Sequence, residues 1–461
     1  MIKTFSKIVG SAAIAALTVS SGFAQTDLGA DCGCPPVGSR TSVNLSTLAA
    51  SGGSTDGDLT ATNTILTCDK VYVLDKKIYV PDGKTLTIRP GTLIKADPGP
   101  AQDATALVVS RGGTINAAGT QSCPIVFTAS ADPMDGSYGL DQQGQWGGVV
   151  VLGRATNNLL ATNTLGVADG LGIIEGFVSA DPRAYYGADL NGGESFDDND
   201  NSGTLSYLSI RHGGATVGPD NELNGLTLGS VGKGTCIDHI EIVANSDDGI
   251  EFFGGTVDLK YGVVYANDDD GFDWDQGWNG RGQFWCVVKV PGKGDNGFEC
   301  DGDDNNSGAA PLSNPTIYNA TCIGDGTDSG MELKELTNGS VYNSIFANYA
   351  VGVNLYDTKD GRATDAYDNW VNGTLVLESN EFIGNTIDYG VDDAAASAGD
   401  VTTFTNDGNN AAATLAGFDF THAVTLATNT VTDEYDAVPN PAVAAVASAP
   451  QDGFFSPVNY R

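Results

Sequence analysis

Between Asn245 and Leu333 one acidic phrase recurs four times: Asp-Asp-Gly-Ile-Glu-Phe, Asp-Asp-Gly-Phe-Asp-Trp, Asp-Asn-Gly-Phe-Glu-Cys and Asp-Ser-Gly-Met-Glu-Leu. Its glycines are Gly249, Gly271, Gly297 and Gly330, at intervals of 22, 26 and 33 residues. A period of this length marks one supersecondary unit stacked on copies of itself, since a single unit cannot bury its apolar face alone. Each unit reads as a turn followed by a short strand, so the copies become coils of a β-solenoid. The phrase constrains architecture more tightly than activity. It suits a calcium-bearing turn, a carbohydrate-cleaving site or plain scaffold.

The rhythm extends well beyond the four copies. Lys77 to Ile88 reads as two short alternating strands around a turn, and Arg89 to Ala96 adds a third after a Pro-Gly corner. Ala106 to Val109, Gly113 to Ala117 and Pro124 to Thr128 continue the series, with strands of three to five residues separated by Gly, Pro, Asn or Asp. It resumes at Leu205–Ile210 and persists to Gly352–Leu355. Such spacing fits three faces per coil and not a sandwich, whose strands are longer and joined by hairpins. The expected fold is all-β, a right-handed parallel β-helix of roughly a dozen coils, each about 4.8 Å from the next. The expected organisation is an export signal over residues 1–24, a lead-in or cap over 25–69, the β-helix over 70–393, and an Ala/Thr/Asn-rich cap or tail over 394–461.

The N-terminus supplies an address. Lys3 and Lys7 precede a short apolar stretch, Ile8 to Val19, and Gly22-Phe23-Ala24 offers small residues where signal peptidase reads. No stretch reaches the roughly 18 apolar residues of a membrane-spanning helix. The predicted product is secreted or held at the outer cell surface, without membrane insertion. A formal charge of -36 excludes nucleic acid as a natural partner. The eight cysteines of an exported chain predict disulfides in preference to a zinc site. Cys32 and Cys34 can staple the first segment to Cys68 or Cys123, and stacked coils can bring together two of Cys286, Cys300 and Cys322.

Several phrases carry a family resemblance. Thr85-Leu86-Thr87-Ile88-Arg89-Pro90-Gly91-Thr92, Gln145-Trp146-Gly147-Gly148 and Asn221-Glu222-Leu223-Asn224-Gly225-Leu226 form a series with Asp247-Asp248-Gly249-Ile250-Glu251-Phe252-Phe253-Gly254-Gly255 and Asn267-Asp268-Asp269-Asp270-Gly271-Phe272-Asp273-Trp274. Over about residues 70 to 355 the chain resembles secreted proteins of Gram-negative bacteria placed in the right-handed parallel β-helix, pectin-lyase-like superfamily. The resemblance implies a fold and an extracellular address, and no particular reaction. Members often carry a C-terminal sorting module, which the closing residues Phe454 to Arg461 do not match.

Chemistry is expected at the acidic phrases. Stacking places Asp248, Asp270 and Asn296 in one ladder and Glu251, Asp273, Glu299 and Glu332 in a second. Carboxylates a few ångström apart must spread into water, share protons or bridge a cation. Calcium suits them, with six to eight oxygen ligands in flexible geometry. Asp198-Asn199-Asp200-Asn201-Ser202-Gly203 and Asp303-Asp304-Asn305-Asn306-Ser307-Gly308 each match half of an EF-hand loop but lack its closing glutamate. The predicted calcium ligands are Asp198, Asp200, Asp247, Asp248, Glu251, Asp269, Asp270, Asp273, Asp301 and Asp303. Asx-turns without an ion are the competing explanation.

Two functions are compatible with these residues. The one expected is a calcium-stabilised extracellular structural, adhesive or glycan-binding protein whose partner is a polysaccharide or a cell-surface component. The other is a polysaccharide lyase or glycoside hydrolase working on the side of the solenoid, with Asp248, Asp270, Asp273 and Lys334 as candidate catalytic groups. A lyase needs a basic side chain, for which Arg281, Lys289 and Lys334 are available. Trp274, Trp278 and Trp285 are either a sugar-stacking platform or core aromatics.

Overall fold

A computed structural model describes residues 28–99, 103–159, 169–174, 177, 181–218, 222–303, 308–406, 408, 410–412, 424–425, 430–431 and 454. The expected export signal over residues 1–24 lies outside the described residues, as does most of the chain after 412.

Short strands dominate because short apolar runs are punctuated by Gly, Asn and Asp, while the left-handed corners fall both on such residues and on others, among them Tyr207, His239 and Ala244. The chain winds as a parallel β-helix. One sheet has eleven strands, running from Ile78–Val80 through Ala106–Val109, Gly148–Leu152, Leu226–Gly229, Ile250–Phe253, Phe272–Asp275, Phe298–Cys300, Glu332–Leu333 and Val351–Leu355 to Ile387–Val391 and Ala394–Ala395. All pair in parallel except the last, which folds back antiparallel. The eighteen-stranded sheet supplies the other two faces. Within Gly203–Arg211, residues up to Ser206 pair with Thr114–Ala118, whereas Leu208 to Ile210 pair with Ile125–Ala129. The corner between the two faces is Tyr207, at φ 50°. The stacked register begins before residue 70, since Thr41–Asn44 pairs with Lys70–Leu74.

One continuous core fills the rod with ladders of Val, Ile, Leu and Phe. Trp274, Trp278 and Trp285 belong to it and are buried, with Phe252 stacked on Trp278 at 4.1 Å and Phe272 on Trp285 at 4.2 Å. The sugar-platform alternative is therefore corrected: these are inward strand and turn positions, closed to any glycan. At the far end the helix Ala398–Asn406 sets Phe404 against Phe382 and Tyr389.

Disulfides Cys32–Cys123 and Cys34–Cys68 tie the first segment to the opening coils. Cys286, Cys300 and Cys322 are free, so none of them forms a disulfide, although Cys286 and Cys322 lie on neighbouring strands close enough to interact. Cys300 and Cys322 face the core, while Cys286 lies opposite Thr321 on the adjacent strand. No helix among the described residues is long and apolar enough to cross a membrane.

Candidate metal centre

The outward positions of the eleven-stranded sheet form a row whose chemistry changes along the rod. Register aligns Tyr79, Val108 and Val150 with Thr227. The row then continues through Glu251, Asp273, Glu299, Glu332 and Asn354. Its opening part lies in an apolar cluster with Tyr186 and Leu223. From Thr227 onward the same face is polar, then acidic.

The glycines of the repeated phrase explain how these residues stack. A Cβ on Gly249 would lie 2.5 Å from the carbonyl oxygen of Gly271, and one on Gly271 would lie 2.6 Å from that of Gly297. Gly297 and Gly330 meet the carbonyls of Gly330 and Gly352 in the same way, at 2.5 Å. The phrase therefore needs glycine because coils approach closely there.

Just before each glycine runs the other predicted ladder, Asp248, Asp270 and Asn296. The Asp270 N–H donates to Asp248 Oδ1 at 3.0 Å, the Asn296 N–H to Asp270 Oδ1, and the Ser329 N–H to Asn296 Oδ1 at 3.0 Å. Each side chain caps the backbone of the next coil. That is an Asx role, and the third rung performs it without charge.

Among the described residues three groups of carboxylates converge, each with ligand oxygens within 4.8 Å of one another. They are Asp247–Asp248–Asp269, Asp248–Glu251–Asp273 and Asp269–Asp270–Asp295. The middle group is buried throughout. Burial, then the charges of Asp247, Asp270 and Glu251, holds the Asp248 carboxyl well above its ordinary range. Burial followed by Glu251 and Glu299 does the same to Asp273, and burial followed by Glu299 and Asp269 to Asp270. Nearer the surface, burial and Asp295 push Asp269 up to about 6.

Oxygen atoms without partners gather at this group. Asp273 Oδ1 is buried with no hydrogen-bond partner, as are Asn224 Oδ1 and Thr227 Oγ1. Asn224 donates its amide to Glu251, and Thr227 stands one rung before Glu251 on the same face. Unsatisfied buried oxygens are costly, and a hard divalent cation satisfies several at once. The residues present fit calcium.

Sequence reasoning passed over Asn224 and Thr227, which lie outside the acidic phrase. It also missed Asp295, although Asp295-Asn296-Gly297 repeats the position of Asp247 and Asp269.

The other predicted ligands lie elsewhere. Asp198 accepts the Thr156 N–H at 3.0 Å, and Asp200 is pushed up to about 6 by burial. Asp303 accepts the Gly308 N–H at 2.7 Å, with residues 304–307 outside the described residues. Asp301 follows Glu299 toward Lys334. None of these four joins a three-carboxylate group among the described residues.

Lys334 sits farther along the same face. Its Nζ donates to Glu299 and lies 3.7 Å from Asp301 and 3.8 Å from Glu332. Burial opposes its charge, but Asp301, Glu299 and Glu332 outweigh burial and hold the ammonium well above its ordinary range. Lys289 is buried on Asp328 at 2.7 Å, and Lys293 bonds Asp268 at 2.8 Å. Arg281 lies on the other sheet, paired with Asp258.

A family model described as a pectate-lyase-like β-helix domain matches residues 57–422. Among solved structures, an alginate lyase from Paenibacillus sp. str. FPU-7 is 12% identical, with a TM-score of 0.28 over 66% of this chain and 80% of that one. The pectate lyase Pel9A is 15% identical, with a TM-score of 0.33 over 80% of this chain and 82% of that one. No curated protein matches the chain. With four-fifths of its length matched and the parallel coils in place, this chain belongs to the pectate-lyase-like β-helix family.

Proposed function

We propose that this is an extracytoplasmic polysaccharide lyase that acts on uronate-rich polymers at the acidic face of the eleven-stranded sheet, using calcium. The observation that carries the reading is the buried Asp248–Glu251–Asp273 group with its unpartnered Asp273 oxygen. Calcium bound there would offset uronate charge and favour loss of the proton next to the carboxylate. Without such a cation, a protein of charge -36 repels the polymer. Asp248, Glu251 and Asp273 would hold the ion, and Asn224 orients Glu251 through its amide. The two disulfides fit an oxidising compartment. Inverting hydrolysis is less well supported. Inverting glycosidases separate their carboxyls by roughly 6.5–9.5 Å to admit a water, whereas Asp248 and Asp273 bring oxygens within 4.8 Å in a buried group.

A second reading, binding without cleavage, draws on the lysines: Lys289, Lys293 and Lys334 each already hold a carboxylate. Of the three, Lys293 is the most exposed, at 21% of its side chain, and is the proton acceptor to test. The experiment is incubation with acidic and neutral polysaccharides, with calcium or chelator, following unsaturated-uronate absorbance and new reducing ends. Calcium-dependent absorbance that is lost in Asp273→Asn supports the lyase. Retention of polymer on an affinity gel without any product leaves binding as the function, and neither product nor retention removes both.

A further inference from the structure

We propose that the acidic row is a groove closed at one end, so that the site takes the end of a uronate chain and not its interior. The opening positions of the row alternate with core residues and point outward, yet Tyr79 is 3% exposed and Val108, Val150 and Thr227 are 0% exposed. Two excursions of the chain cover them. Leu159, Ile174 and Tyr186 come from the stretch between Gly148–Leu152 and Gly203–Arg211, and Ala215, Val217 and Leu223 from the stretch before Leu226–Gly229. Together they make the apolar cluster over Tyr79, Val108 and Val150.

The cover is fastened at several points. Arg183 pairs with Asp58 at 2.9 Å and lies 3.8 Å from the Tyr79 ring centre, pinning the first excursion to the opening coils. Tyr186 stacks on Phe253 at 5.9 Å and donates its hydroxyl to Gln276 Oε1 at 2.7 Å, which carries the cover along one border of the acidic row. Gly229 makes room for that ring, since a Cβ there would stand 2.7 Å from it. Farther along, the Asn158 amide donates to the Gly302 carbonyl at 2.7 Å. On the opposite border Gln143 donates to the carbonyls of Asn245 and Ala266 at 3.0 and 2.9 Å, and accepts from Lys293 at 2.6 Å. Lifting the cover would expose Val108, Val150 and Tyr186 to water, so it stands as a wall. Beyond Asp273 the row emerges: the Glu299 side chain is 25% exposed, that of Lys359 29%, and Asp393 is exposed. A chain that reaches Glu251 from this side meets Thr227 and the wall one coil farther on, about 4.8 Å away. The interior of a polymer must leave a site in two directions, whereas an end needs only one.

The inference rests on the proposed uronate ligand but not on its cleavage. Full-length wild type in calcium is mixed with size fractions of polygalacturonate and of alginate at equal uronate concentration. Retained protein, viscosity and product length are followed together. If the polymer is only retained, doubling the chain length should halve the protein bound per mass of polymer, because only ends bind. If it is cleaved, the shortest unsaturated products should appear from the start, with viscosity falling only in proportion to product. Hydroxyl-radical footprinting with a galacturonate oligomer should shield Tyr356, which lies on the open side beside Glu332. Equal binding per mass at every chain length overturns the proposal, and so does an unshielded Tyr356 under bound oligomer. An early collapse of viscosity with long products also overturns it while leaving the lyase reading intact. End-limited retention without any product does the reverse, keeping the closed groove and removing the lyase. Neither retention nor cleavage of either polymer removes both.

Discussion

At the scale of single residues, the acidic phrase combines two jobs that charge alone does not distinguish. Asp270 caps the Asn296 N–H and also crowds its neighbours with negative charge. Because Asn296 performs the same capping toward Ser329, Asp270→Asn should keep the cap and relieve the repulsion. Asp270→Ala should cost about 1–3 kcal/mol, the penalty for a buried donor left unpaired, and chemical denaturation of the two variants checks the difference. The pH dependence follows from the raised carboxyls. Asp248, Asp270 and Asp273 bind protons more tightly folded than unfolded. Calcium-free stability should therefore be fully present below the unfolded value near 4 and fall as pH rises through the folded values. For Asp269, pushed up to about 6, the loss falls between about pH 4 and 6. Calcium should restore the melting temperature most at the alkaline end of a pH series with and without chelator.

At the scale of the element, the repeat is a statement about backbone spacing. Gly271 lies against the carbonyl of Gly297 and the methyls of Val287. Gly271→Ala should destabilise the fold by about 1–3 kcal/mol through overpacking, measurable as a lower denaturation midpoint at unchanged slope. Strand positions and the alternation of Ile250 and Phe252 inward with Glu251 outward were readable from the sequence, because a period of two assigns faces without further information. The corners were not readable. Tyr207, His239, Tyr261 and Phe284 all sit at positive φ and stack at 4.0, 4.3 and 5.1 Å in turn. Local preference disfavours that conformation for aromatic residues, and only neighbouring coils make the stack that accompanies it. Trp278 was ambiguous for the same reason, since an aromatic in a Gly-rich turn reads alike whether it faces core or solvent.

At the scale of the whole molecule, the N-terminal disulfides staple an end that the solenoid would otherwise leave open. Cys32–Cys123 spans 91 residues and Cys34–Cys68 spans 34. Loss of either should cost about 2–5 kcal/mol, seen as a lower melting temperature in reductant. Thiol titration of the native protein should find Cys236 reactive and Cys300 and Cys322 silent until denaturant is added, since only Cys236 is exposed among the free cysteines. By itself the sequence determined the parallel coils and the acid row from Glu251 to Glu332, because a repeat with fixed strand alternation places equivalent residues above one another. Only the tertiary structure decided that Asn224 bonds Glu251 and Thr227 precedes it on the same face, that Asp198 and Asp200 stand apart from Asp248, Glu251 and Asp273, and that Lys334 lies among three carboxylates. Coil length varies along the chain, so which turn folds over which face, and which charge loses its water, depends on contacts between residues far apart in sequence.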